Sequence, residues 1–398
     1  MKCVWRSIVR HQSTKITIFF FMLGTFAIGM SEYVVIGLLS QIAGDMHIQI
    51  STAGLLVSVY ALSVAFIGPV MRILTFKYRA RILLPVFVGI FIFSNVLGML
   101  APHFYVLLLS RLLSAAMHAP FFGVSMSVAT NIVSPAKRTQ AIALVQTGLT
   151  IAIMIGVPFG AFLGDLANWR VVFGIMVAIA IITLIGILKC TPDVEMSAEP
   201  NLRKELGAFK QPQILITIAM IVFGFSGVFT TYTFVEPMLK ALSPFDTAGI
   251  TVCLFLFGLG GVIGNVVSGN VTEEKLTMGL FFSYLLLFVT IVLLVYALPI
   301  GLFALIIVFL FGFGTFGTTP LLNSKIIFGA SEAPLLAGTM VGSIFNLANF
   351  IGAMIGSGLL GHGLPYAHIT MISGGIILLG IVLNIGNYMY EKRQKVSG

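Results

Sequence analysis

Charged residues are scarce in this chain. Only 9% of its 398 residues are Asp, Glu, Lys or Arg, whereas soluble domains carry about a quarter. Hydrophobic residues make up 58%, and the mean hydropathy is +1.08. This composition excludes a soluble globular protein and requires that nearly the whole chain lie in a lipid bilayer.

Cysteine is also scarce. The three cysteines, Cys3, Cys190 and Cys253, are odd in number and scattered, which excludes a disulfide framework and a cysteine metal site. The sequence shows no nucleophile–base set and no paired metal ligands, so we expect no enzyme activity, no metal and no cofactor. The net charge of +9 is spread through short loops. We therefore expect no nucleic-acid partner.

Long apolar runs separated by polar breaks are what the chain has instead. A spanning helix needs about 20 apolar residues, and the run after Lys15 is too long for the apolar part of a signal peptide. We therefore predict a retained first helix and an all-α integral membrane protein with twelve transmembrane helices. The predicted spans are 15–39, 50–74, 82–101, 104–132, 138–164, 169–189, 213–239, 247–270, 277–297, 301–327, 335–361 and 368–390.

One long polar break divides the predicted helices into six and six. It predicts an N-terminal six-helix bundle over 1–189, a linker over 190–211 and a C-terminal six-helix bundle over 212–398. A short repeat supports this division, because Thr52-Ala53-Gly54 opens predicted helix 2 and Thr247-Ala248-Gly249 opens predicted helix 8. Parallel repeats of this kind occur in secondary transporters.

The basic residues predict the orientation in the membrane. With an even number of helices, both termini lie on one side. Of the 22 Lys and Arg residues, all fall on that side except Arg170 and Lys240, which fall on the other, and Arg111, which lies within predicted helix 4. Cytoplasmic loops carry an excess of Lys and Arg, so the termini and the linker are expected in the cytoplasm.

Two carboxylates fall within the predicted spans. Glu32 lies in predicted helix 1, and Glu236 precedes Pro237 near the outer end of predicted helix 7. A carboxylate in lipid is costly and usually marks an ion or proton pathway. Glu32 is therefore the proton-coupling candidate, with a structural carboxylate as the alternative. Glu236 is either a wetted helix end or a group in the substrate cavity that shares the coupling role.

Two further ionisable residues lie in predicted helix 4. Arg111 is expected either to clamp a neighbouring carboxylate or carbonyl, or to tune the proton-coupling carboxylate or pair with an anionic substrate. His118 follows about two turns later and shares roughly one face with Arg111. It is either a packing residue or a member of a proton relay or substrate site.

Several other polar residues also fall within the predicted spans. Polar side chains in lipid find partners across helices, so a structural role is the alternative hypothesis for each of these residues. If a central cavity exists, they are its candidate hydrogen-bonding groups. They are Tyr33, Tyr60, Gln146, Thr150, Tyr232, Asn323, Asn346 and Asn349.

A row of small residues marks predicted helix 5. Gly156, Gly160 and Gly164 are four apart, and Pro158 lies among them. Small residues let helices approach closely, and proline bends a helix. We expect this row to form a smooth, bent face along which the two halves approach and rock. Predicted helix 11 has a similar row at Gly352 and Gly356.

Four ordered segments carry a family resemblance. They are Gly29-Met-Ser-Glu32-Tyr-Val, Arg111-Leu-Leu-Ser-Ala-Ala-Met-His118-Ala-Pro-Phe-Phe122-Gly123, Gly156-Val-Pro158-Phe-Gly160, and Phe345-Asn346-Leu-Ala-Asn349-Phe-Ile-Gly352. Together they resemble the major facilitator superfamily. The nearer resemblance is to its drug:proton antiporter branch, with the AraJ-type arabinose efflux permeases and related sugar and purine-nucleoside exporters.

The resemblance implies a major facilitator fold and proton-driven efflux of a small organic molecule, such as a sugar, nucleoside or drug. We expect a monomer in the plasma (inner) membrane. The alternatives are an uptake symporter or facilitator on the same fold, and a channel. One motif departs from the family: in the loop after Gly68 that carries Arg79 and Arg81, Phe76 takes the position of an acidic residue.

Overall fold

The computed structural model describes residues 2–75, 77–193, 211–329 and 334–397. Twelve helices in this part of the chain are long and apolar enough to cross a membrane, which confirms the predicted fold class. We label them α1 (Thr14–Asp45), α2 (Ile50–Met71), α3 (Ala80–Met99), α4 (Phe104–Ile132), α5 (Arg138–Leu166), α6 (Trp169–Cys190), α7 (Pro212–Tyr232), α8 (Thr247–Gly269), α9 (Glu273–Ala297), α10 (Gly301–Phe328), α11 (Val341–Gly361) and α12 (Tyr366–Arg393).

Several helices extend beyond these spans. The helix of α1 begins at Lys2, that of α11 begins at Pro334 and that of α12 continues to Ser397. Glu391 therefore lies inside α12, although the sequence predicted that the last span ends before it. Its carboxylate is paired with Lys325 of α10 at 2.6 Å, and this pairing makes a charge near the end of the helix acceptable.

The first helix changes its winding in the middle. It is α-helical to Tyr33, forms a tighter 3₁₀ segment over Val34–Leu38 and returns to α-helix over Leu39–Asp45. Mid-helix 3₁₀ segments commonly mark hinges or strain. The tight segment is fully buried and begins directly after the residues Glu32 and Tyr33.

Proline accounts for two further breaks. The helix of α4 stops at Ala116 and restarts at His118, because Pro120 has no N–H to donate to the Ala116 carbonyl. In α5 a π-helical segment, Ala152–Gly156, precedes Pro158. Such a wider turn accommodates the backbone hydrogen bond that is missing because Pro158 has no N–H.

The predicted span over 213–239 is wrong at its end. The helix of α7 stops at Tyr232, and a separate short helix, Val235–Leu242, follows. Pro237 lies in the first turn of this short helix, where its missing N–H is tolerated. Glu236 consequently lies outside α7, although the sequence predicted that it falls within a membrane span.

The glycine row of α5 packs against α1 within the N-terminal half. A Cβ atom at Gly156 would lie 2.7 Å from Met30 Cγ, and Cβ atoms at Gly160 and Gly164 would overlap Val34 and Leu38. The expectation that this row faces the other half is therefore wrong. The row in α11 repeats the pattern, because Gly352 and Gly356 face Ser226, Thr230 and Phe234, in and just after α7.

The contacts between the two halves cluster on the side opposite the termini and near the middle of the helices. At the start of α2, a Cβ atom at Gly54 would lie 2.6 Å from the Phe234 ring. Deeper in, Gly258 of α8 approaches Met154 of α5, where a Cβ atom would lie 2.7 Å from the Met154 Cα. The predicted linker lies largely outside the described residues, so the domain boundaries stay a prediction.

Candidate functional site

Glu32 lies in a buried polar cluster where α1 changes its winding. The buried polar cluster consists of Ser31, Glu32, Tyr60, Arg111 and His118. The Glu32 residue is 5% exposed, and its Oε2 lies 3.6 Å from His118 Nδ1. The break in α4 places His118 at the start of the second helical segment, opposite Glu32. The structure thus brings together two of the three predicted proton-coupling residues.

His118 connects Glu32 to a tyrosine of α2. The Tyr60 hydroxyl lies 3.3 Å from the same Nδ1 atom, and the imidazole stacks on Phe122 with ring centroids 4.9 Å apart. An imidazole nitrogen accepts or donates a hydrogen bond according to its protonation and tautomer. This geometry suits the passage of a proton between the carboxylate and the imidazole.

Arg111, the third member, binds the backbone of α1. Its Nη1 donates to the Ser31 carbonyl and, at 2.9 Å, to the Ser31 hydroxyl, and its Nη2 donates to the Glu32 carbonyl at 3.4 Å. The guanidinium also lies 4.1 Å from the centre of the Tyr60 ring, a favourable cation–π contact. These contacts agree with the hypothesis that Arg111 clamps a neighbouring carbonyl. Ser31, which sequence reasoning missed, is its main partner.

An aromatic cluster joins the two halves beside this site. The half-buried Tyr33 ring lies 6.5 Å from Tyr232 and 6.4 Å from Phe316. Tyr232 stacks on Phe257 at 4.4 Å, and Phe257 contacts Phe311 at 5.2 Å. We call these five residues the aromatic cluster. Sequence reasoning missed the phenylalanines, because one phenylalanine in an apolar helix looks like another.

Unpaired amide oxygens lie on α10 and α11. The side-chain oxygens of Asn323, Asn346 and Asn349 are buried and have no hydrogen-bond partner among the described residues. The Asn346 amide nitrogen donates to the Gly342 carbonyl at 3.0 Å. Buried polar atoms are normally paired, so these oxygens are available acceptors for a ligand.

Two predicted cavity residues lie on an exposed part of α5. Gln146 and Thr150 are exposed and lie one turn apart, in the part of α5 nearer the termini side. Tyr60, by contrast, is 1% exposed and belongs to the buried polar cluster.

Glu236 lies away from the buried polar cluster. It is 1% exposed and accepts hydrogen bonds from Ser40, at the end of the first helix. It therefore joins the two halves on the side opposite the termini. Sequence reasoning also missed Ser40, which carries no motif.

The remaining predicted residues lie near the termini side. Gly68 of α2 faces α4, where its Cβ would lie 2.8 Å from the Ala119 Cβ. Arg79 pairs with Asp193 at 2.6 Å, with the two side chains 61% and 42% exposed, and Arg81 is exposed. Phe76 lies outside the described residues. Among the described residues, no group of three His, Cys, Asp or Glu side chains is arranged to hold a metal ion.

Comparisons with known proteins place the chain among transporters. It is 41% identical to the MFS-type transporter YfhI of Bacillus subtilis over 97% of each chain. It is 33% identical to the inner membrane transport protein YdhP of Escherichia coli over 91% of this chain and 92% of that one. A "Probable sugar efflux transporter" of Helicobacter pylori is 28% identical over 92% and 93% of the two chains.

The fold matches a solved transporter. The crystal structure of a variant of the nucleoside transporter NupG superposes with a TM-score of 0.75, covering 94% of this chain and 100% of that one at 11% identity. The sequence profile of the Major Facilitator Superfamily matches residues 21–357. The chain therefore belongs to the Major Facilitator Superfamily and is a membrane transporter, not an enzyme.

Proposed function

We propose that this protein exports a small organic molecule in exchange for protons, with Glu32 as the proton carrier. The observation that carries the proposal is the contact between Glu32 and His118, 3.6 Å apart in a buried site at the break of α1. An ionisable residue inside the membrane is costly and marks an ion or proton path by default. Arg111 holds the backbone around Glu32 in place, which leaves the carboxylate itself to exchange the proton.

The arrangement of the halves supports alternating access. Contacts between them cluster on the side opposite the termini, while Gln146 and Thr150 are exposed toward the termini side. We take the termini side as the cytoplasm because it carries almost all of the basic residues. On this basis the protein is open to the cytoplasm and ready to take up a molecule for export.

The proton and the exported molecule would meet through adjacent residues. Glu32 belongs to the polar cluster, while the next residue, Tyr33, belongs to the aromatic cluster and reaches Tyr232 and Phe316 of the other half. A molecule that separates Tyr33 from these rings would disturb the backbone that also positions Glu32. Binding of the molecule and binding of the proton would then oppose each other, as exchange requires.

The aromatic cluster and the unpaired amide oxygens suggest the kind of molecule that is carried. The aromatic cluster offers ring faces for stacking, and Asn323, Asn346 and Asn349 offer acceptor oxygens. A ring-containing molecule with a few hydrogen-bond donors matches these groups, which agrees with the sugar and nucleoside named for two of the similar proteins. We also propose that the protein lies in the plasma membrane, which agrees with the inner-membrane name of a third similar protein, and that it acts as a monomer.

The test is Glu32→Gln, which keeps the shape of the side chain but removes its titration. In proteoliposomes with an imposed proton gradient, we expect the variant to lose accumulation of substrate against its own gradient but to retain substrate binding. The pH dependence of binding should also weaken, because binding is no longer linked to that proton. Proton-driven accumulation at the unmodified protein's rate would show that Glu32 is structural.

Glu391→Gln is the matched control. Glu391 is also a carboxylate inside a span, but its partner is Lys325 and it lies in the C-terminal half. The control variant should retain proton-driven accumulation.

The same vesicles decide between export and uptake, because the direction of net substrate movement for a known gradient reverses if the protein is a symporter. Transport that is indifferent to the gradient would identify a facilitator.

A further inference from the structure

A polar network joins the two halves on the side opposite the termini. The N-terminal half contributes Ser40, after the break of α1, and Asp165, at the end of α5. The C-terminal half contributes Glu236 and Lys240 of the short helix, and Thr247 at the start of α8. We call these five residues the latch.

Each half supplies both donors and acceptors to the latch. Ser40 donates its backbone N–H, at 3.2 Å, and its hydroxyl, at 2.8 Å, to Glu236 Oε2. Lys240 Nζ lies 3.0 Å from Asp165 Oδ1, and the Thr247 hydroxyl donates to Asp165 Oδ2. Both carboxylates of the latch therefore accept hydrogen bonds from the opposite half.

Lys240 has one partner in each half. Besides Asp165 across the interface, it pairs with Glu236, one turn earlier on its own helix, at 3.1 Å. Burial lowers the pKa of Lys240, but the two carboxylates outweigh that effect and hold the pKa above its usual value. Lys240 is therefore charged at neutral pH and holds both carboxylates at once.

We propose that the latch is the contact that breaks when the protein opens on the side opposite the termini, and that Lys240 remains bound to Glu236 while it releases Asp165. Asp165 is about one-third exposed in the closed form, so water replaces its partners easily. Glu236 is buried, and a buried carboxylate that loses its partners is strongly destabilising. By keeping one ion pair within its own helix, Lys240 makes opening possible without an unpaired buried charge.

This inference rests on the alternating access of the proposed function, and its test needs neither a substrate nor a proton gradient. Spin labels replace His103 and His362, which are exposed in the loops that follow α3 and α11; the native cysteines are changed to serine. Distances between the labels report the closed and open populations in purified protein. Failure of Glu32→Gln to alter transport would not affect this measurement.

Asp165→Asn should increase the population with long distances by about three- to fivefold, the effect of losing a partly exposed ion pair worth up to about 1 kcal/mol. Asp45→Asn is the matched control. Asp45 lies on the same side and pairs with Arg170 and Trp169, but all three belong to the N-terminal half. An unchanged distribution for Asp165→Asn, or an equal shift for Asp45→Asn, overturns the role of the latch.

The exchange of partners by Lys240 has its own test. Lys240→Gln removes the same contact across the interface but also leaves Glu236 without its intrahelical partner, so this variant should open less than Asp165→Asn. Adding Glu236→Gln to it should restore the opening. Equal opening in Lys240→Gln and Asp165→Asn refutes the exchange.

Thr247→Val gives a second measure of the latch should Asp165→Asn fold poorly, because it removes only one hydroxyl. If the distance distribution is then unchanged in Thr247→Val, the latch is refuted.

Discussion

Among single residues, Arg111 shows how a membrane helix tolerates a permanent charge. Its guanidinium is buried, yet it donates to two successive carbonyls and one hydroxyl of α1 and covers the Tyr60 ring. Carbonyls at the change from α-helix to 3₁₀ winding lose regular helical partners. Arg111 supplies a replacement there, and so keeps Glu32 facing His118.

This role predicts the outcome of Arg111→Lys. Lysine keeps the charge but lacks the planar fork that reaches both carbonyls. Loss of a charge-assisted hydrogen bond costs about 1.5–3 kcal/mol, so we expect a clearly lower Tm in detergent, measured by tryptophan or dye fluorescence. Arg79→Lys is the control, because its ion pair is largely exposed and should leave Tm nearly unchanged. Equal Tm values for the two variants would argue against the clamp.

Among elements, the contact of α1 with α5 and that of α11 with α7 follow the same design. In the N-terminal half the glycine row of α5 packs against bulky side chains of α1, and in the C-terminal half the row of α11 packs against the backbone of α7 and the Phe234 ring that follows it. The rows therefore seal each half internally. Contact between the halves depends on other small residues, such as Gly54 and Gly258, at which α2 and α8 approach helices of the opposite half.

The tightness of the α1–α5 contact predicts the effect of Gly160→Ala. The added Cβ atom would overlap the Val34 side chain, and overpacking costs about 1–3 kcal/mol. We expect a lower Tm and slower transport, because Val34 directly follows Glu32 and Tyr33 in the chain. Adding Val34→Ala makes room for the new methyl group and should recover much of the Tm.

Gly89→Ala is the control for this prediction. Gly89 lies inside α3, and a Cβ atom there meets nothing within 4 Å. That variant should match the unmodified protein in Tm and transport. If Gly160→Ala behaves as Gly89→Ala does, the close packing of α1 on α5 is wrong.

The orientation of the protein in the membrane decides which side the latch closes. The twelve spans among the described residues put Lys2 and Ser397 on one side. Cys190 lies at the end of α6 on that side and is partly exposed, whereas Cys253 is fully buried in α8. These cysteines provide a direct test of orientation.

We expect a membrane-impermeant maleimide to label Cys190 in inverted vesicles but not in intact cells, in a Cys3→Ser background. Cys253 should stay unlabelled in both because it is buried. A cysteine in place of His362, exposed in the loop after α11, is the control and should react in intact cells. Labelling of Cys190 in intact cells would reverse the orientation and, with it, the side that the latch closes.

The membrane class, the twelve helices and the candidate Glu32 could all be predicted from the order of the residues, because hydropathy, run length and an isolated carboxylate are local properties. The contacts of each polar residue, by contrast, are evident only from the packing of the helices. It placed Glu236 in a short helix bonded to Ser40, turned the Gly160 row toward α1 and directed Arg111 to carbonyls rather than to the carboxylate. This is because the contacts of a side chain in a helix bundle depend on helix breaks, on the rotation of each helix and on packing between segments distant in the chain. The periodicity of the sequence within one helix specifies none of these.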